Sequence, residues 1–122
     1  SHHYLVCTGT TGRLVKQALI NKGFQPDVEC KNSGPMGGDV EIAAMVVQKE
    51  IDLAVFLIDD LNPQPHEADI MMFLRQCRVH NVPIACNRYS ADLMITSTLW
   101  DDETYVPTPP RYEKFDRDKF NL

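Results

Sequence analysis

The sequence predicts one α/β domain, a three-layer sandwich on a mainly parallel sheet with its active site at the carboxyl ends of the strands. Three observations lead there. Short apolar runs of β character alternate with segments of helical periodicity, the pattern of a parallel sheet with crossover helices. One run, Ile51–Ile58, is almost unbroken in Ile, Leu, Ala, Val and Phe, as suits a strand covered on both faces. The 122 residues are enough for one domain with a hydrophobic core.

Tyr4–Thr8 reads as the first strand, and Thr8-Gly9-Thr10-Thr11-Gly12 as the turn after it. Leu14, Val15, Ala18 and Leu19 then recur at helical spacing, and Gly23 ends that helix. Asp27–Cys30 is a short strand. Ser33-Gly34-Pro35-Met36-Gly37-Gly38-Asp39 packs three glycines and a proline into seven residues. It turns sharply and delivers Asp39 to the first turn of a helix that runs to about Lys49, with Ile42, Ala43, Val46 and Val47 as its apolar positions. Ile51–Ile58 follows as a strand, then a loop over Asp59–His66 with two prolines. Ile70, Phe73, Leu74 and Cys77 mark a helix ending near His80. Val82–Cys86 is a further buried strand, and Ser90 is placed to cap a short helix through Met94 and Ile95. From Trp100 the composition shifts to prolines and alternating charge. That tail is expected on the surface or against another subunit.

The bulk properties exclude several classes. A net charge of −5 argues against nucleic acid, whose phosphates call for a basic patch. No apolar run approaches membrane-spanning length, and no signal-peptide pattern opens the chain. Cys7, Cys30, Cys77 and Cys86 form no C-x-x-C pair and stand at no zinc-ligand spacing to histidine. Cys7, Cys77 and Cys86 lie in apolar runs, where cysteine behaves as a small buried hydrophobe. Free thiols and a reducing, cytoplasmic setting follow. The spacing of Asp59, His66 and Asp69 is not specific enough to propose a metal.

The loops at 8–12, 33–39 and 59–66 each follow a strand, so the fold places all three at one sheet edge, where α/β sheets bind ligands. Residues 8–12 are either a phosphate cradle, with hydroxyls and a helix start, or an ordinary turn with a Thr cap. Asp39 is either a carboxylate that satisfies helix N–H groups or a general base. The helix dipole lowers its pKa, so a base role needs an opposing influence, such as desolvation or a bound phosphate dianion. His66 stands on a proline-stiffened loop ahead of Glu67 and Asp69, and Asp59 and Asp60 close the strand at the same edge. Asp60 also suits a turn, and Asp69 a first-turn acid. Arg75 and Arg78 read as solvated, and Arg88 as a weaker anion contact.

These three blocks, in this order and spacing, resemble methylglyoxal synthases, from about Tyr4 through Asp92. Asn87 fits as well, while the tail matches loosely. The resemblance implies conversion of dihydroxyacetone phosphate to methylglyoxal and inorganic phosphate without metal or organic cofactor. It implies Asp39 as the base, His66 and Asp69 as the pair that polarises the carbonyl region and relays protons, and Asp59 as an active-site acid. Thr8, Gly9, Thr10, Thr11, Ser33 and Gly34 correspond to phosphate-binding positions. It further implies a homohexamer inhibited by free phosphate, with a tail arginine, Arg111 or Arg117, reaching a neighbouring site.

Family members begin with an additional strand and helix carrying a Lys, a His and an Asp near the substrate phosphate. Residues 1–122 start about where the second strand belongs. We expect them to be a fragment lacking that unit, unstable and inactive alone, which an intact mass and an activity assay would test. The other reading is a non-catalytic domain of the same fold that senses phosphate or a nucleotide, like the effector-binding domain of carbamoyl phosphate synthetase. It has no need of Asp39 and His66 together. An isomerase using the same enediolate is a third.

Overall fold

The computed structural model describes residues 3–108. Arg111 and Arg117 lie outside the described residues. Four strands and four helices alternate: β1 (Leu5–Cys7), α1 (Gly9–Asn21), β2 (Val28–Cys30), α2 (Gly38–Val47), β3 (Ala54–Val55), α3 (Glu67–Val79), β4 (Ile84–Ala85) and α4 (Arg88–Ile95). A single 3-10 turn, Gly34–Met36, precedes α2.

The strand pairing is parallel, as expected. β1 pairs with β2 in the register Leu5↔Val28, Val6↔Glu29, Cys7↔Cys30. β3 pairs with β4 through Ala54↔Ile84 and Val55↔Ala85. The described residues form two two-stranded ladders rather than one continuous sheet. The strands are also shorter than their apolar runs. Of Ile51–Ile58 only Ala54 and Val55 join a ladder, and of Val82–Cys86 only Ile84 and Ala85. The expectation that Ile51–Ile58 is covered on both faces is corrected. Ala54 is buried, whereas Val55 and Leu57 are about half exposed. β4 is the one strand partner of β3 among the described residues, and Val55, which points away from Ala54, is left partly open.

The core lies between α2, α3 and β3. Ala43, Val46, Ala54, Phe73 and Cys77 form its buried centre, with Ile42, Phe56, Leu74 and Ile84 packed around it. The Phe56 and Phe73 rings meet at 5.6 Å between centroids. The spacing Ile70, Phe73, Cys77 puts three buried side chains on one face of α3, as helical periodicity requires. The fully buried positions of α1 are Gly9 and Gly12. A Cβ at Gly12 would stand 2.5 Å from the Cys30 sulfur and 3.2 Å from Cys7 Cβ, so α1 lies flush on the β1–β2 ladder. Among the cysteines, Cys77 is buried, Cys7 half-buried, and Cys30 and Cys86 exposed. Cys86 therefore departs from the buried role read from its apolar run, because it stands just past the end of β4.

Helix starts differ from expectation at two places. Residues 9–12 are the first turn of α1 itself, with Thr8 as its N-cap. At α4 the cap is Asn87, whose side chain accepts from the Ser90 N–H at 2.8 Å. Ser90, expected as the cap, is the donor. Gly23 does end α1, at φ 83°. Among the described residues no helix is long and apolar enough to cross a membrane.

Candidate active site

The carboxyl ends of β1, β2 and β3 carry the three loops to one place. A cavity of about 480 Å³ opens there, lined by Thr8, Thr10 and Thr11 from the start of α1, and by Ser33, Gly34 and Pro35 from the turn after β2. Asp39 contributes from α2, and Asp59, Asp60, Gln64 and His66 from the loop after β3. Phe56, Ile58, Ile70 and Leu74 supply part of an apolar wall. Gln64 and Glu67 were not singled out from sequence. Their only signal is adjacency to His66. No group of His, Cys, Asp and Glu among the described residues is arranged to hold a metal ion.

One side of the cavity suits an anion. No lysine or arginine is among its described lining residues. Thr10 and Thr11 lie in the first turn of α1, where N–H groups have no helical carbonyl to bond. Neither the Thr8 nor the Ser33 side chain makes a capping hydrogen bond at its helix start. Gly9 is different. It is buried, its N–H donates to the Asn32 carbonyl at 3.1 Å, and it does not line the cavity. Its bond ties the start of α1 to the loop after β2.

Asp39 stands opposite. It is 2 % exposed, within the first turn of α2. The N-cap of α2 is Gly37, in the left-handed region at φ 97°, which glycine adopts without strain. Gly38 follows, with no room for a side chain against the Asn32 backbone and Thr8 Cγ2. Together these two glycines push Asp39 inward. It is not the N-cap residue, which is Gly37, and its Oδ2 has no hydrogen-bond partner among the described residues. Burial pushes its pKa above the usual carboxylate value; His66 pulls it down and Asp69 adds to the rise. Desolvation is therefore the opposing influence that a base at a helix N-terminus needs.

His66 precedes α3 and accepts through its carbonyl from the Ile70 N–H at 3.1 Å. Its Nε2 lies 3.4 Å from Asp39 Oδ2, with its side chain 14 % exposed. Its Nδ1 is buried without a hydrogen-bond partner among the described residues. Asp69, half-buried in the first turn of α3, does not line the cavity and reaches Asp39 through its charge. Asp59 lines the cavity, yet both its oxygens bond within its own loop. Oδ1 accepts from the Leu61 N–H at 3.2 Å and Oδ2 from the Asn62 side-chain amide at 2.7 Å. Asn87 and Arg88 sit at the start of α4, outside the lining.

This arrangement pairs a desolvated carboxylate and an imidazole with hydroxyls and helix-start N–H groups. It can take a proton from a carbon beside a carbonyl and hold an anion alongside. Comparison with known proteins agrees in kind. The family model of the MGS-like domain matches residues 1–86. Methylglyoxal synthase of Treponema socranskii is 68% identical over 120 residues, covering 98% of this chain and 76% of that protein. Methylglyoxal synthase of Yersinia pestis (strain Pestoides F) is 42% identical over 122 residues, covering 100% and 75%. The crystal structure of methylglyoxal synthase from Elizabethkingia anophelis NUHP1 superposes with a TM-score of 0.77 at 37% identity, covering 94% of this chain and 72% of that one.

Proposed function

Because the chain belongs to the methylglyoxal synthase family, we propose that it is a lyase acting on a small phosphorylated substrate, dihydroxyacetone phosphate, and releasing methylglyoxal and inorganic phosphate. The observation that carries this reading is the buried Asp39 carboxylate beside His66, in one cavity with Thr8, Thr10, Thr11 and Ser33.

In this reading Asp39 takes a proton from the hydroxymethyl carbon, and the electron pair moves onto the ketone oxygen to give an enediolate. The His66 imidazole donates to the developing oxyanion, which needs a fixed donor in a desolvated site. Asp69 completes the proton relay, and Asp59 holds the 59–62 loop as the cavity wall. The residues at 8–11 and 33–34 bind the phosphate. They hold the bridging C–O bond perpendicular to the enediolate plane, so its electrons can leave with phosphate. With that bond in the plane, elimination is disfavoured and isomerisation competes.

The reading extends to a cytoplasmic homohexamer inhibited by free phosphate, which occupies the same cradle. The assay that decides it supplies dihydroxyacetone phosphate to the full-length protein and identifies the products. Methylglyoxal with equimolar phosphate supports the lyase. Glyceraldehyde 3-phosphate would make it an isomerase, and unconsumed substrate a binding domain.

A further inference from the structure

Gly34 belongs to the turn that lines the anion side of the cavity, but its lack of a side chain answers to something else. Backbone conformation does not demand glycine there. Only Gly23 and Gly37 among the described glycines take a positive φ, at 83° and 97°. The demand comes from His66. A Cβ on Gly34 would strike the imidazole at Nε2, and would stand 2.8 Å from Cδ2 and 3.1 Å from Cε1. All three contacts are with one ring, so its edge lies directly over the Gly34 Cα.

The same Nε2 is the atom 3.4 Å from Asp39 Oδ2. The other ring nitrogen is buried with no hydrogen-bond partner among the described residues. Packing, rather than a hydrogen bond at Nδ1, therefore holds the ring in place. Pro35, next in the turn, stiffens that support by fixing its φ.

We propose that Gly34 is a positioning residue for His66: its bare Cα is the seat against which the imidazole rests, and this sets the approach of Nε2 to Asp39. The proposal rests on the reading of Asp39 and His66 as partners in proton transfer. It separates two tasks within one turn. In the reading above Ser33 and Gly34 hold the anion from the cavity wall, while the absent side chain of Gly34 makes room for the ring. A methyl at 34 leaves the N–H in place and displaces the imidazole.

A double-mutant cycle on the full-length protein tests this, using Gly34→Ala, His66→Ala and the pair together. Turnover of dihydroxyacetone phosphate, KM, and the rise in Tm on adding inorganic phosphate are measured for each. Gly34→Ala is expected to lower kcat on the order of 100-fold, the scale of an ångström-sized misplacement, and to lower Tm. KM and the phosphate-induced rise in Tm should stay nearly constant. In the His66→Ala background, adding Gly34→Ala should change kcat by less than about twofold, the scatter of such cycles, and leave Tm alone.

Equal losses of kcat and Tm in both backgrounds would overturn the proposal. So would a weakened response to phosphate with kcat intact, which would make Gly34 an anion contact only. Where His66→Ala is too slow for its kcat to be read, the Tm cycle alone decides. If the wild type leaves dihydroxyacetone phosphate unconsumed, the functional reading fails. The Tm cycle still reports whether residue 34 and the ring compete for the same space.

Discussion

Oδ2 of Asp39 and Nε2 of His66 stand 3.4 Å apart, and that oxygen has no hydrogen-bond partner among the described residues. A carboxylate 2 % exposed and so sparsely bonded is a cost to folding, since an unpaired buried charge is unfavourable. This arrangement suits a group kept ready to accept a proton.

Replacing Asp39 with Asn keeps the shape and removes the proposed base. Turnover of dihydroxyacetone phosphate should fall by about 10²–10⁴-fold, the usual share of general-base catalysis. Tm at neutral pH should hold or rise, because the buried charge is gone and no capping bond is lost. Unchanged turnover would remove Asp39 from the mechanism.

The pH dependence carries a definite sign. As the proposed base Asp39 would act ionised, and burial raises its pKa from the ordinary 3.8. The acid limb of kcat/KM should therefore lie above the usual carboxylate range. Asp69 contributes to the rise and His66 opposes it. Asp69→Asn should move the limb to lower pH, and His66→Gln to higher pH. Stability follows the same linkage. The folded state binds this proton more tightly than the unfolded state, so the stabilisation is present below 3.8 and is lost as pH rises through the folded pKa. Asp39→Asn should flatten that part of the stability curve, measured by denaturation across pH.

Thr8 tests the anion cradle. Its side chain forms no cap bond to α1, so Thr8→Val should leave Tm without added phosphate nearly unchanged. Loss of one hydrogen bond to a charged group is worth about 1.5–3 kcal/mol, so KM should rise roughly tenfold to a hundredfold. The stabilisation given by inorganic phosphate should shrink in the same variant. A normal KM would place the phosphate elsewhere.

The two glycines ahead of Asp39 should respond differently. Gly37 has φ 97° and nothing within 4 Å of an added Cβ. Gly37→Ala should cost about 1–2 kcal/mol in backbone strain, and Gly37→Asn less, since Asn visits that region more readily. Gly38 faces the immovable Asn32 carbonyl, with its carbon 2.9 Å from an added Cβ. Gly38→Ala should cost about 1–3 kcal/mol by overpacking. Chemical denaturation separates the three variants.

Much of the site was legible from one chain. Gly, Pro and apolar spacing act locally, so the order of strands and helices and the three loops at one edge follow from neighbouring residues alone. That placed Thr8, Ser33, Asp39 and His66 around one cavity before any coordinates. Less legible were the true lengths of the strands. The run Ile51–Ile58 is uniformly apolar, but a ladder needs a partner strand, and only Ala54 and Val55 have one among the described residues. The start of α1 was also missed, since Thr and Gly at 9–12 look like a turn until the first helical bonds are drawn.

The sequence by itself determined the α/β class, the parallel pairing and the identities of the acid and imidazole. Periodicity and residue chemistry are properties of the chain. Only the tertiary structure decided what state Asp39 is in. Its burial, its raised pKa and its distance to His66 depend on residues distant in sequence, His66 and Asp69 among them, which reach it through space. The carboxylate that sequence spacing leaves open as cap or base is buried by that packing at the cavity wall, where Gly37 holds the cap position and the carboxylate faces a histidine.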